Sequence, residues 1–422
     1  MLHLAVGAAR TDVADFLQSS VNGGRATHKP EFDGEWVPIS QVYDLQMGKT
    51  PSRDIPEYWN NGEHDWVSIK DLGSYEKYVG KTNETISELG RVKSGIKSVP
   101  ANTLLMSFKL SLGKTAITTK ETYTNEAIMA FLDKGTYDFD IDYMWHQLQS
   151  KDWTVGTNTA VMGKTLNKKT LSATKIRVPS ISEQKEIAKH LDVVQETLSL
   201  LSLELKTLDD LVKSQFVEMF GDTYSNSKQL PSRKLGALID FITSGSRGWS
   251  KYYSDEGDYF ITIKNVRGCS ISLDNVQHVH APNNKEAERT KVQSGDVLIS
   301  ITADLGRTGV VSKEIADHGA YINQHLACIR LAGEDILPLY LSFFLESPGA
   351  KDQLQRKNQT GVKAGLNFDL VKSLDILVPP LALQQQFADF VARVDKLGFD
   401  CCREIVCCGV LFSSMSASLL CT

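Results

Sequence analysis

From Ile187 onward the apolar residues step alternately by four and three, at Ile187, Leu191, Val194, Leu198, Leu201, Leu205, Leu208 and Val212. The series reaches Met219, and only Gln215 interrupts it. A 4-3 spacing sustained in this way is a coiled-coil seam, so the stretch predicts one long helix that needs a partner helix. The helix is expected over residues 182–222, with Ser182 as its cap and Glu183 and Glu186 in the first turn, where the helix dipole favours acids. A rod of roughly 37 residues at about 1.5 Å each is about 55 Å long.

On either side of that helix the pattern changes to short apolar runs separated by Gly, Asn, Asp and Ser. Trp66 to Ile69, Thr103 to Phe108 and Ala127 to Leu132 have strand length, while Asp142 to Gln149 and Leu339 to Glu346 read as short helices. Small strands with few helices predict an α+β globule. The pattern occurs twice. Trp66 to Gly73 returns as Tyr259 to Gly268, Leu104 to Thr115 as Val297 to Thr308, and Val178 to Val194 as Val378 to Val394, which keeps Val-Pro, a Gln and an Ala in register. Asn125 is answered by Asn323, and Leu166-Asn167 by Leu366-Asn367.

The organisation that follows is an unassigned extension over residues 1–34, with a short helix expected at Thr11 to Ser19. After it come a globular domain over 35–181, the long helix over 182–222, a second domain over 223–381 and a second helix over 382–422. Phe387, Val391 and Val394 of that second helix are the natural partners for the seam. It then departs from its counterpart: Leu383 stands where Glu183 does, Gly398 where Leu198 does, and a cysteine-rich tail follows. Almost every residue after Ile405 is apolar or small, which leaves a divergent helix and a disordered or frame-altered tail both open.

Length and composition narrow the class. A chain of 422 residues with 41% hydrophobic and 23% charged residues has room for two or three cores and the balance of a soluble globule. No apolar run is long enough for a membrane span, and the N-terminus turns acidic too early for a secretion signal, so a cytoplasmic location is expected. Five of the seven cysteines crowd the end of the chain, as Cys401, Cys402, Cys407, Cys408 and Cys421. Their CC-x4-CC spacing lacks both a C-x2-C pair and a nearby His, so neither zinc nor a disulfide framework is expected.

A net charge of −5 does not advertise nucleic-acid binding, but the charge is unevenly spread. Ser182 to Asp222 holds nine acids against four lysines, whereas Trp153 to Ser182 holds no acid and five bases, Lys164, Lys168, Lys169, Lys175 and Arg177. Arg356, Lys357 and Lys363 lie in the matching part of the second copy. Basic segments flanking an acidic rod suit phosphate contact in two places, and a solvated polar loop is the bland alternative. The segments Gly48 to Arg53 and Thr243 to Gly248 occupy one place in the two copies. There Lys49, Thr50, Ser52 and Arg53, and in the second copy Ser244, Ser246 and Arg247, offer backbone and side-chain contact to DNA or form unliganded turns. Lys70 and Lys264 recur in the paired runs, and Lys114 and Arg307 in the paired LG-[KR]-T turns. Tyr75, Tyr78, Trp249, Tyr252 and Tyr253 could stack on DNA, with core packing the commoner role.

Catalytic signatures are missing. Gly-Lys-Thr occurs at Gly48, Gly113 and Gly163, but the P-loop glycine five residues before GK is replaced by Tyr43, Phe108 and Asn158. No Asn/Asp-Pro-Pro-aromatic quartet, dinucleotide-type glycine turn or metal-spaced His/Cys/Asp cluster is present.

The repeat, the seam and the LG-[KR]-T and VP-[SP]-[IL] marks together resemble the DNA specificity subunits of type I restriction-modification systems, over roughly Trp36 to Leu397. The resemblance implies two tandem target recognition domains separated by long coiled-coil-forming helices. Each domain would read one half of a bipartite site on double-stranded DNA, and the helices would set the gap. It implies partners as well: modification subunits that methylate adenine with S-adenosylmethionine, and restriction subunits that use ATP and Mg. This chain would bind no cofactor itself and would not be an enzyme. Two other readings compete. The recognition region of a fused methyltransferase-nuclease would methylate DNA unaided, and a coiled-coil scaffold would show no sequence preference on DNA.

Overall fold

The computed structural model describes residues 34–109, 111–153, 158–160, 163–302, 304–359 and 366–420. The helix expected at Thr11 to Ser19, together with Lys363 and Cys421, lies outside the described residues, as do the side chains of Lys164 and Lys357. The chain divides into two compact units. One holds the first domain up to Leu198 and the chain from Cys408, and the other holds Ser199 to Cys407.

In the first unit a four-stranded antiparallel sheet runs in the order Tyr43–Met47, Ile128–Asp133, Leu104–Ser107, Thr115–Ile117. Its central strands run apolar for three and five residues, up to Ser107 and Asp133, because both faces are covered there. Leu104 and Met106 enter one core with Phe131 and Trp145, whereas Leu105 enters another with Val67 and Ala130. A second sheet, Glu84–Ile86, Trp59–Val67 and Tyr123–Thr124, is mixed, its last pair parallel. Glu35–Pro38 pairs with Lys175–Val178, so the domain's first and last strands close on each other.

The second unit repeats the four-stranded sheet and the closing strand pair, whereas its mixed sheet has four strands instead of three. Ile239–Ser244, Leu326–Leu331, Val297–Ser300 and Thr308–Val310 form the four-stranded sheet, and Ser232–Lys234 closes on Asp375–Leu377. Val297 and Ile299 face one core while Leu298 faces another, the same alternation as in the first copy. The short helices form as expected, at Ile141–Ser150 and Pro338–Glu346.

The first long helix covers Ile181–Phe220. Its cap is Ser180, not Ser182: the Ser180 hydroxyl and Glu183 make a reciprocal pair, with Ser180 N–H donating to the Glu183 carboxylate at 3.0 Å. The expected seam residues are buried at Ile187, Leu191, Leu201, Leu208 and Val212 and half-buried at Val194, Leu198 and Leu205. Beyond Val212 the seam departs from the expectation. Phe216 and Phe220 carry it in place of Gln215, because the aromatic rings of Tyr340 and Phe387 lie there, with Phe216 5.4 Å and Phe220 5.5 Å from Phe387.

The second long helix settles the open tail, running unbroken over Leu381–Leu420. In the second unit Phe387, Val391 and Val394 share one core with Leu208, Val212 and Phe216, and Cys401 Sγ donates to the Leu201 carbonyl at 3.3 Å. Phe387 beside Phe216 and Cys401 beside Leu201 make the pairing antiparallel. Gly398 is buried within it. In the first unit Phe412 and Met415 pack on the domain core, so this part of the apolar tail is the buried face of a helix. Burial holds the Cys401 thiol up at about 11. Among the described residues no His/Cys/Asp/Glu group could hold a metal, and no helix is long and apolar enough to cross a membrane.

One seam residue costs stability at neutral pH. Asp395 has a buried Oδ2 with no hydrogen-bond partner, and burial together with nearby Asp209 pushes its carboxyl up to about 6. A carboxyl whose folded value exceeds its unfolded value takes up a proton on folding, so the penalty is full above that value and is relieved as pH falls towards 4. Discounted for its partial exposure, the penalty is about 1 kcal/mol. Asp395→Asn should therefore raise the melting temperature at pH 8 and leave it nearly unchanged at pH 4, as thermal unfolding at the two pH values would show.

Candidate nucleic-acid interface

The paired runs first read as strands end in capped turns that hold a lysine outward. In the first domain Asp71 is buried and accepts from the Ser68 N–H at 2.9 Å and the Ser68 hydroxyl at 2.7 Å, while the Ser68 hydroxyl accepts from the Asp71 N–H at 3.1 Å. In the second, buried Asn265 accepts from the Thr262 N–H at 3.0 Å and its hydroxyl at 2.9 Å. Lys70 and Lys264 sit between these capping partners. Both are exposed, and neither has an ion-pair or hydrogen-bond partner among the described residues. Asn265 has one capacity that Asp71 lacks: its amide also donates to the Ser272 carbonyl at 3.1 Å.

The LG-[KR]-T turns are also superposable in their bonding. Gly113 has φ 80° and Gly306 φ 82°, a left-handed conformation that glycine adopts without strain. The buried hydroxyls of Ser107 and Ser300 accept from the Lys114 N–H at 3.1 Å and the Arg307 N–H at 2.9 Å. Their cations differ in availability. Lys114 lies over Gly73, where a side chain would meet it, whereas Arg307 pairs with Asp304.

The loops at Gly48 and Gly245 turn out to need glycine for a protein contact. A Cβ on Gly48 would overlap the carbonyls of Thr124 and Asn125, and one on Gly245 those of Ile322 and Asn323. Asn125 and Asn323 make matching turns, accepting from Ala127 N–H at 2.8 Å and His325 N–H at 3.1 Å. The polar side chains of these loops are largely committed. Arg53 forms a fork with Glu84 and lies 3.7 Å from the Trp59 ring centroid. Lys49 donates to the Ser94 carbonyl, Thr50 donates to Glu126, and the Ser52 hydroxyl accepts from the Asp54 N–H at 3.3 Å. Ser244 and Ser246 are held by Arg289, whereas Arg247 is exposed without a partner among the described residues.

Of the remaining basic residues, Lys168 and Lys169 are exposed at the start of the helix Lys168–Ala173, free of partners among the described residues. Arg356 is taken by Asp352 at 2.9 Å and by the Tyr224 hydroxyl at 2.7 Å. Among the aromatics, Trp249 is buried and stacked on Phe260, whereas Tyr78 and Tyr253 are about half exposed, at 50% and 47%.

Two structural groups were missed in the sequence. Gln184 and Gln384, each fully buried, clamp their helix to the loop before the short domain helix. Gln184 donates to the carbonyls of Asp138 at 3.0 Å and Pro179 at 2.9 Å and accepts from Asp140 N–H at 2.9 Å; Gln384 does the same with Asp335 at 3.0 Å, Pro379 at 2.8 Å and Leu337 N–H at 2.8 Å. The signal was the Gln kept in register in the repeat. The other group is specific to the first domain, where Lys77 bridges Asp142 at 2.9 Å and Asp192 at 2.7 Å, and buried His146 meets Asp192 at 2.7 Å. Burial lowers the His146 value, with the Asp192 bond opposing it.

Two copies of one α+β domain, each leading into a long helix, are the arrangement of a known family. The model of the type I restriction modification DNA specificity domain matches residues 33–208 and again 233–403, and the chain belongs to that family. The type I restriction enzyme MjaVIII specificity subunit of Methanocaldococcus jannaschii is 21% identical over 86% of this chain and 87% of its own. The EcoprrI specificity subunit of Escherichia coli is 32% identical, but over 26% of this chain and 28% of its own length. The MjaIX subunit of M. jannaschii, 24% identical, is likewise matched over only 58% of its length. Among solved structures, the S subunit of a type I restriction-modification system from M. genitalium aligns with a TM-score of 0.55 over 93% of this chain and 97% of that one, at 15% identity.

Proposed function

We propose that this chain is the sequence-reading subunit of a type I restriction-modification complex, without catalytic activity of its own. The observation that carries the reading is the duplicated capped turn, which presents Lys70 in one domain and Lys264 in the other, both free of protein partners among the described residues. Two domains of one plan with equivalent cations fit a target with two halves. Lysine contacts of this kind neutralise phosphate and fix register, whereas base choice falls to side chains such as Arg247.

The helices would hold the two reading domains at a set spacing. Leu200, Leu203, Leu211 and Val217 are each 45–59% exposed on the first helix, an apolar face suited to modification subunits. Those subunits would bring S-adenosylmethionine and methylate adenine in the cytoplasm, and restriction subunits would bring the ATP- and Mg-dependent steps.

Binding of the assembled complex to duplex DNA, followed by fluorescence anisotropy across a salt series, tests this reading. Lys70→Ala and Lys264→Ala should each weaken binding to all sequences and lower the slope of log affinity against log salt by about one. Unchanged affinity and slope in both variants would contradict it.

A further inference from the structure

The segment Thr243 to Ser246 is held from outside by a single side chain. Arg289, on the helix Lys285–Thr290, donates through Nη1 to the Thr243 hydroxyl and, at 2.8 Å, to the Ser244 carbonyl; through Nη2 it donates to the Ser246 hydroxyl at 3.0 Å. Gly245 lies against the Ile322 and Asn323 backbone, and Ser246 forms a bridge with Asn323. On the other side Gly248 turns the chain at φ 84° and Trp249 is buried against Phe260. Arg247 therefore stands exposed between two anchored points.

The first domain ties its equivalent loop to the equivalent helix with the polarity reversed. There Lys49 reaches out of the loop to the Ser94 carbonyl at the end of the helix Glu88–Ser94. In the second domain the cation comes from the helix instead, which leaves the loop's own arginine unspent. A guanidinium reads guanine through two hydrogen bonds only if its backbone is held still, because both bonds must align together.

We propose that Arg289 is a positioning residue for base selection in the second half-site, fixing the backbone from which Arg247 reaches the DNA. This rests on the DNA-reading function above. The donors of Arg289 are spent on the Thr243 hydroxyl, the Ser244 carbonyl and the Ser246 hydroxyl, so it acts on base choice through the loop that carries Arg247.

The test uses the chain assembled with its modification subunits, S-adenosylmethionine and a library of duplexes randomised over both half-sites. Methylated products are sequenced to give the preference at every position. Arg289→Ala should reduce discrimination at one base pair of the second half by about tenfold, leave the first half unchanged, and make an added Arg247→Ala without further effect. Arg289→Lys, which keeps the charge with fewer aligned donors, should fall between the wild type and Arg289→Ala. Unaltered preferences in both variants, or an equal loss over both halves in Arg289→Lys, would overturn the proposal. A wild-type complex with no two-part preference would instead refute the DNA-reading function itself, so the two failures are distinguishable.

Discussion

Gln384→Ala should lower the melting temperature by roughly 6–12 °C. Three hydrogen bonds meet at this fully buried amide, and its loss strands the carbonyls of Asp335 and Pro379 and the N–H of Leu337. A buried polar group left without a partner costs about 1–3 kcal/mol, so a total of about 3 kcal/mol is a conservative sum. Gln384→Glu provides the discriminating control. Its carboxylate can still accept from Leu337 but faces two carbonyl oxygens with a negative charge, so it should be no better than alanine. Differential scanning calorimetry decides the matter, and a shift of less than about 2 °C in both variants would remove the clamp from the fold's supports. Gln184→Ala should behave alike in the first domain, since its partners have the same geometry.

Four residues inserted between Leu198 and Leu208, with four more in the second helix between Cys401 and Cys408, should change the spacing of the two halves of the DNA site. The bases read should stay the same. Four helical residues add about 6 Å, which is close to two base-pair steps of about 3.4 Å. Matching both helices keeps Phe387 against Phe216 and keeps Phe412 on the first domain's core, because the insertion falls between those contacts. Methylation-site mapping should return the original two blocks of bases with a gap longer by one or two. An unchanged gap in an active complex would separate the helices from any spacing role.

The duplication was legible because its marks are local. A capping box, a left-handed glycine turn and a Val-Pro helix entry each need only a few adjacent residues, and each forms alike in both copies. What escaped the sequence depends on neighbours distant in the chain. The 4-3 spacing placed Gln215 in the seam, but the seam changes at Phe216 because the domain's own Tyr340 enters there. Ser180 outcompetes Ser182 as the cap because Glu183 sits three residues after it and returns the bond. The second helix looked degenerate by composition, and its continuity follows from burial of one face in each unit.

The candidate interface shows the same division. Arg53 and Arg247 look equivalent in a Gly- and Ser-rich loop, yet Glu84 and Trp59 engage the first and no described residue engages the second. Nothing within the loops distinguishes them. Arg289 left no signal, since the residues it holds lie 43 to 46 positions away.

Sequencing of methylated adenines in cells that carry this chain with its modification subunits, before and after exchange of residues 232–377 for the same domain of another family member, asks most directly whether each domain reads one half of the site. Two short blocks of bases separated by a fixed gap should appear, and the exchange should replace one block while leaving the other and the gap intact. A single continuous block, or the alteration of both blocks by exchange of one domain, would contradict the division of reading between the two domains.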